Sequence, residues 1–171
     1  MPARRHAFTD SPLPSIIVVD SSFIFEALID SGQGRYVATH DFAERLRATN
    51  ARLVFSGLLF IEAPQCWRRL YRKGVLIPSQ RSTDPVTDRL NAFAQADQSL
   101  QTFLAAFNSS QIRVSPRIIG TASRLVATYE LQSHDAVVAA VAQEIKIRDI
   151  AATDQGFRRI DDIELWDGLF P

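Results

Sequence analysis

The chain has 171 residues, of which 46% are apolar and 22% charged, and its 19 basic and 19 acidic side chains leave no formal net charge. This length and composition are typical of one globular domain with a sizeable core, which we expect over residues 15–171. Because the charges balance, the chain lacks the positive excess by which many proteins bind nucleic acid, so contact with a phosphate backbone needs local patches or bridging cations.

The single cysteine and the N-terminal segment indicate the compartment. Cys66 has no second cysteine for an internal disulfide, so a reducing, cytoplasmic location is the expectation. No apolar run reaches the length of about 18 residues that a membrane helix needs. The first residues contain Arg4 and Arg5 but no apolar segment, so we expect no signal peptide. With two prolines at positions 12 and 14, residues 1–14 are predicted to be a flexible lead-in.

Two short apolar runs at opposite ends of the chain both end on polar residues. Residues 15–19 are followed by Asp20 and two serines, and residues 149–153 are followed by Asp154. Continuous runs of this length that are rich in β-branched residues indicate strands buried on both faces, as in a parallel sheet. Ligands of such sheets bind beyond the carboxyl ends of the strands. We therefore expect Asp20 and Asp154 to lie at the same edge.

The segments between these runs alternate between helical and strand patterns. In residues 58–73 the apolar positions fall on one helix face, although Pro64 requires the helix to begin near Ile61 or to bend there. The alternation predicts an α/β fold with three layers, α/β/α, around a mainly parallel sheet. Helices are predicted at 23–29, 41–51, 58–73, 86–107, 116–129 and 133–145, and further strands at 52–55, 111–114 and, at an edge, 163–166.

Four acidic residues stand at the ends of predicted elements. Each has a local explanation, because carboxylates are common in turns and in the first turns of helices. Two of them are nevertheless in apolar surroundings, since Asp20 closes an apolar strand and Glu62 follows the apolar residues 58–61. Acids in such surroundings are seldom found without a partner or a cation. The four are Asp20, Glu62, Asp135 and Asp154.

Successive motifs around these acids resemble those of PIN domains, which include the VapC-type toxins. The resemblance covers roughly residues 15–167, and the 19-residue separation of Asp135 and Asp154 is typical of it. The matching segments are Val18-Val19-Asp20-Ser21-Ser22, Glu62-Ala63, His134-Asp135-Ala136-Val137-Val138-Ala139-Ala140, Ala152-Thr153-Asp154-Gln155-Gly156-Phe157 and Ile163-Glu164-Leu165-Trp166.

The resemblance implies a metal-dependent endoribonuclease, the toxin of a type II toxin–antitoxin pair. It implies an RNA substrate, a small antitoxin protein as a partner and a homodimer, with no membrane association. Ser22 and Thr153 match positions where the family has small polar residues that orient the acids or water. The residues that it implies as catalytic and as ligands of Mg²⁺ or Mn²⁺ are Asp20, Glu62, Asp135 and Asp154.

Independently of the resemblance, the chemistry of the four acids is consistent with a site for a divalent metal ion. Hard divalent cations take oxygen ligands, and Mg²⁺ typically takes one or two carboxylates and keeps several waters. Neighbouring carboxylates raise one another's pKa, because their negative charges repel. A bound cation removes that repulsion and is therefore expected to stabilise the fold as well.

Other residues have competing interpretations. Arg68, Arg69 and Arg72 form a basic cluster that is either a solvated helix face or a set of candidate RNA contacts. His134 is interpreted as a surface or capping residue and Cys66 as a small core residue. The alternative function is a catalytically weak or inactive PIN-like module that acts as a protein- or RNA-binding scaffold. A P-loop is absent from the sequence.

Overall fold

The computed structural model describes residues 2–32 and 34–168, which form an α/β fold around one sheet. The strands are β1 (Arg4–His6), β2 (Ile16–Val19), β3 (Arg52–Ser56), β4 (Ser110–Ile112), β5 (Asp149–Ala151) and β6 (Glu164–Trp166). They lie in the order β1-β6-β5-β2-β3-β4, and every pair is parallel. The predicted three-layer class with a parallel sheet is thus confirmed.

Helices cover both faces of the sheet. They are α1 (Ser21–Leu28), α2 (Tyr36–Ala48), α3 (Leu59–Arg72), α4 (Pro85–Ala106), α5 (Pro116–Tyr129) and α6 (Ser133–Glu144). The first four pack on one face and the last two on the other. Within β2, Ile17 and Val19 enter the first of these cores and Val18 enters the second, as the alternation of side chains along a strand requires. No helix in the described part of the chain is long and apolar enough to cross a membrane.

The N-terminal segment contributes a strand to the sheet: residues 4–6 form β1, where the sequence analysis predicted a flexible lead-in. Strand β1 pairs with β6, and Phe8 is buried with its ring stacked on that of Phe42 at 4.6 Å. Arg5 forms an ion pair of 2.7 Å with the buried Asp167. Since β1 lies outside β6, the predicted edge strand at 163–166 is an inner strand. Its partner was missed because a three-residue strand has no readable periodicity.

Helix α3 begins at Leu59 and continues through Pro64, within the predicted segment 58–73. Of the two alternatives that Pro64 left open, a start near Ile61 and a bend there, the start lies two residues earlier. Proline lacks the N–H that a second-turn position normally uses, which weakens a helix locally. Here the opposite face of α3 is buried, and Trp67 Nε1 donates a 2.6 Å hydrogen bond to Asp97 on α4. Tertiary packing therefore offsets the local cost of the proline.

The carboxyl ends of β2 and β5 lie side by side at the centre of the sheet. Val19 is in register with Ala151, and the Asp20 N–H donates to the carbonyl oxygen of Ala151 at 2.9 Å. The chain leaves β2 towards β3 on one side, while β5 flanks β2 on the other. A crevice at the carboxyl ends of strands is expected where connections diverge in this way.

Candidate metal centre

Asp20 is held rigidly at the carboxyl end of β2. It is the N-cap of α1, where its Oδ2 accepts a 2.9 Å hydrogen bond from the Ser22 N–H. Only 2% of the residue is exposed, and its Oδ1 has no hydrogen-bond partner among the described residues. Burial raises the pKa of Asp20, and the hydrogen bonds from Ser22 oppose that rise.

Asp135 lies in the first turn of α6 and is even less exposed, at 1%. Neither of its carboxylate oxygens has a hydrogen bond within the described structure. His134 Nε2 is 3.3 Å from Oδ1, a distance that makes an ion pair when the imidazole is protonated. Burial raises the pKa of Asp135 to about 7, and the negative charges of Asp20, Asp154 and Glu62 contribute to the rise.

Glu62 and Asp154 complete the set from two other elements. Glu62 is half-buried in α3; burial raises its pKa, a Ser21 hydrogen bond opposes the rise, and the charge of Asp20 adds to it. Asp154 follows β5 and is exposed, with its Oδ1 accepting a 2.8 Å hydrogen bond from the Gly156 N–H. Both side chains are therefore accessible to a ligand, whereas Asp20 and Asp135 are enclosed.

The structure brings the four predicted acids together. Asp20, Glu62 and Asp154 line one groove of about 370 Å³, which we call the acidic groove. Asp135 interacts electrostatically with all three. His134, interpreted from the sequence as a surface or capping residue, also lines this groove and favours the ionised form of its neighbours. No periodicity in the sequence indicated that His134 lies beside the acids.

The two predicted supporting residues contact each other. The Thr153 N–H donates to Ser22 Oγ at 3.1 Å, which ties the end of β5 to the start of α1. The Thr153 carbonyl oxygen in turn accepts a 3.0 Å hydrogen bond from Arg35 Nη1. These bonds fix the backbone beside Asp20 and Asp154, while the positioning role of Ser22 and Thr153 in a reaction stays a prediction.

Gly156 is a site residue to which the sequence analysis gave no role. A Cβ at this position would overlap Asp135 Oδ2 and would lie 3.4 Å from Asp154 Oδ1. The absence of a side chain therefore lets the two carboxylates flank the same point. The available sequence signal was a glycine two residues after the last acid.

The residues present fit a hard divalent cation. All four donors are carboxylates, and three buried oxygens, on Asp20 and Asp135, lack a hydrogen-bond partner among the described residues. Within the described residues, no group of three or more acidic, His or Cys side chains is close enough to hold a metal ion in this arrangement. Mg²⁺ usually takes one or two carboxylates and keeps waters in its other positions.

Comparison with solved structures identifies the architecture. PAE2754 from Pyrobaculum aerophilum matches with a TM-score of 0.58 at 16% identity, over 88% of this chain and 84% of that one. The toxin VapC20 of Mycobacterium tuberculosis matches with a TM-score of 0.56 at 18% identity, over 91% and 99%. This chain has a PIN-like fold of the VapC type. No family model matches the sequence, and no curated protein matches it.

A third match to this PIN-like fold comes from an assembly of two proteins. A toxin–antitoxin complex from Klebsiella pneumoniae matches with a TM-score of 0.52 at 16% identity, over 86% of this chain and 94% of that one. VapC20 is described as a toxin that cleaves the sarcin–ricin loop. At these identities the likeness concerns the fold.

The basic residues of α3 in this PIN-like chain divide into two groups. Arg69 lines the acidic groove. Arg68 and Arg72 are exposed on other faces of α3, outside the residues that line it. Among the three candidate RNA contacts, the structure thus places only Arg69 beside the acids.

Proposed function

We propose that the chain is a metal-dependent endoribonuclease of PIN type. In this proposal Asp20, Glu62, Asp135 and Asp154 hold Mg²⁺ or Mn²⁺ and form the catalytic site. The observation that carries it is the convergence of four carboxylates from four elements, two of them buried with oxygens that have no hydrogen-bond partner among the described residues. A fold has little reason to bury such groups unless a ligand compensates them.

The protein's own groups have distinct parts in this site. A bound divalent ion would polarise a phosphoryl oxygen and activate water for hydrolysis of the phosphodiester bond. Asp20 and Asp135 would provide buried carboxylate oxygens, with Asp20 also lining the groove, and Glu62 and Asp154 would provide accessible ones. The Ser22–Thr153 hydrogen bond keeps the two central strand ends in place. Precise placement of such groups contributes a large part of enzymatic rate enhancement.

We also propose that the chain is the toxin of a type II toxin–antitoxin pair and forms a homodimer. The fold that it shares with VapC20 and with a toxin–antitoxin complex supports an antitoxin partner. Expression of the chain alone should slow bacterial growth, whereas expression of the Asp20→Asn variant should not. Sedimentation of the purified chain measures its oligomeric state, and a monomer at micromolar concentration would contradict the dimer.

The test of the nuclease is cleavage of a pool of cellular RNAs by the purified protein with Mg²⁺, Mn²⁺ or EDTA. We expect cleavage only with metal, and Asp20→Asn or Asp154→Asn should lower its rate by more than about 100-fold, because each removes an anionic ligand. Asp41→Asn is the matched control, since Asp41 is an exposed aspartate on α2 outside the acidic groove.

Two results would count against the proposal. Equal cleavage by wild type and Asp20→Asn would mean that this site does not catalyse the reaction. Failure to cleave any RNA, together with no effect of Mn²⁺ on thermal stability, would favour the scaffold alternative.

A further inference from the structure

A second groove of about 250 Å³ opens beside the acidic groove, and we call it the basic groove. The two share part of their walls, including Ser22, Arg69 and Asp154, so they form one continuous depression. Three cationic side chains line the basic groove: Arg35, Arg69 and Lys73. The depression therefore changes from acidic to basic along its length.

One wall of this depression is a single face of α3. Arg69 and Lys73 follow Glu62 by seven and eleven residues, which correspond to about two and three helical turns. They therefore lie in line with Glu62, and Lys73 is about 16 Å from it along the helix axis. Arg68 and Arg72 lie to the side of this line, and neither lines the basic groove in the described structure.

The opposite wall comes from the end of α1 and the start of α2. Arg35 is held there by its hydrogen bond to the Thr153 carbonyl oxygen, which places its guanidinium at the end of β5. Burial raises the pKa of Glu26, while its hydrogen bond from Ser31 Oγ and the charges of Arg35 and Arg69 oppose that rise. Arg69 Nη2 also donates to Cys66 Sγ at 3.7 Å, so Arg35 and Arg69 are both oriented by neighbouring residues.

We infer that the basic groove binds the phosphates of single-stranded RNA on one side of the scissile bond, with Arg69 and Lys73 as backbone contacts and Arg35 at the junction with the acidic groove. This inference rests on the proposed nuclease function. A chain without net charge attracts RNA only where cations are concentrated, and four carboxylates would otherwise repel the strand. A narrow cationic channel without specific base contacts is typical of single-strand binding.

Binding is measured by fluorescence anisotropy of labelled single-stranded oligoribonucleotides in the inactive Asp20→Asn background with Mg²⁺. Arg69→Gln and Lys73→Gln should each raise Kd by about 3- to 10-fold. The slope of log Kd against the logarithm of the salt concentration should also fall by about 0.7 for each lost phosphate contact. Arg68→Gln and Arg72→Gln remove the same charge from the same helix and should change Kd by less than about twofold. Thermal melting of each variant checks that it is folded.

Oligonucleotide length provides a second readout. In the protein with intact grooves, extension of the RNA on one side of the label should raise affinity until the basic groove is filled. Lys73→Gln should remove that gain on one side only. In active protein, the same variant should raise KM and leave kcat nearly unchanged, because Lys73 lies three turns from Glu62.

The possible results separate this inference from the nuclease proposal. Equal losses in the Arg72→Gln control and in Lys73→Gln, or no loss in Arg69→Gln and Lys73→Gln, would overturn it. Affinity for an acidic peptide but not for RNA would overturn it too. Metal-dependent cleavage with groove-independent binding would leave the nuclease standing and reject the groove. Groove-dependent RNA binding without cleavage would keep the basic groove as an RNA-binding site and reject the nuclease proposal.

Discussion

Asp135 shows most directly how individual residues prepare this site. A buried carboxylate without a hydrogen bond destabilises a fold, typically by about 1–3 kcal/mol or more when charged. At Asp135 both oxygens lack a hydrogen bond among the described residues, and three other acids raise the pKa of the group further. His134 at 3.3 Å compensates this only when it is protonated. Asp135 thus destabilises the fold by itself, and its oxygens are suited to binding a cation.

Gly156 makes this arrangement possible, which leads to a prediction for Gly156→Ala. The new Cβ would overlap Asp135 Oδ2, so the carboxylate must move. We expect at least about a 10-fold loss of Mn²⁺ affinity, comparable to the loss of an outer-shell partner, measured by calorimetry.

The matched control is Gly120→Ala. Gly120 lies within α5, and a Cβ there meets no atom within 4 Å. This variant should keep its metal affinity and gain about 0.5–1 kcal/mol in the free energy of unfolding, since alanine is the better helix former. A Gly156→Ala protein that binds Mn²⁺ as tightly as Gly120→Ala would contradict the role of Gly156.

At the scale of elements, α3 joins the core to both grooves. Its inner face buries Ala63, Trp67 and Leu70 against the core, and its outer face presents Glu62 and Arg69. One amphipathic helix therefore sets the distance between an acidic ligand and a cationic contact. Loop-borne side chains would not hold that spacing, because loops are more mobile than helices.

The N-terminal strand yields the prediction at this scale. Phe8 is 4% exposed and contacts the rings of Phe23 and Phe42. We expect Phe8→Ala to lower the free energy of unfolding by about 3–5 kcal/mol, measured by urea denaturation, because it empties a core position. Leu90→Ala, at a residue that is 60% exposed, should change it by less than about 0.5 kcal/mol. Equal effects of the two substitutions would show that the N-terminal segment does not pack against the core through Phe8.

For the whole molecule, the distribution of charge matters more than its total. The acids are gathered at one edge of the sheet and the groove cations beside them, although the formal net charge is zero. Because like charges repel, protons or a bound cation on these acids would relieve their repulsion. We therefore predict a linkage between folding, protons and Mg²⁺ or Mn²⁺.

The direction of this linkage follows from Asp135. Its pKa in the fold is about 7, above the ordinary value of 3.8, so the folded state binds the proton more tightly than the unfolded state does. The resulting stabilisation is present below about pH 4 and is lost as the pH rises to about 7. In EDTA, wild type should therefore melt at a lower temperature at pH 8 than at pH 5, and Asp135→Asn should reduce that difference.

Metal should reverse the loss. Mn²⁺ should raise the melting temperature more at pH 8 than at pH 5, because protons compete with the cation for the same carboxylates. The Asp135→Asn variant should show a smaller increase at pH 8. If wild type and Asp135→Asn respond equally to pH and to Mn²⁺, Asp135 does not control the linkage.

The sequence by itself determined the fold class and the order of the elements from β2 to β6. Apolar runs and helical periodicity are local properties, and they were sufficient to predict β2, β3, β5 and the parallel sheet. The start of α5 was predicted at Pro116, since proline fits the first position of a helix, whereas α4 begins at Pro85, one residue before its predicted start. The rule that ligands bind at strand ends then led from Asp20 and Asp154 to one edge of the sheet.

Only the tertiary structure decided which side chains meet and which are buried. The close approach of Gly156 to Asp135 joins different elements, and the entry of His134 and Lys73 into the two grooves depends on how their helices are rotated. Strand β1 likewise exists because β6 offers it a partner. Such contacts arise from the packing of segments that are distant in the chain, and no local pattern encodes them.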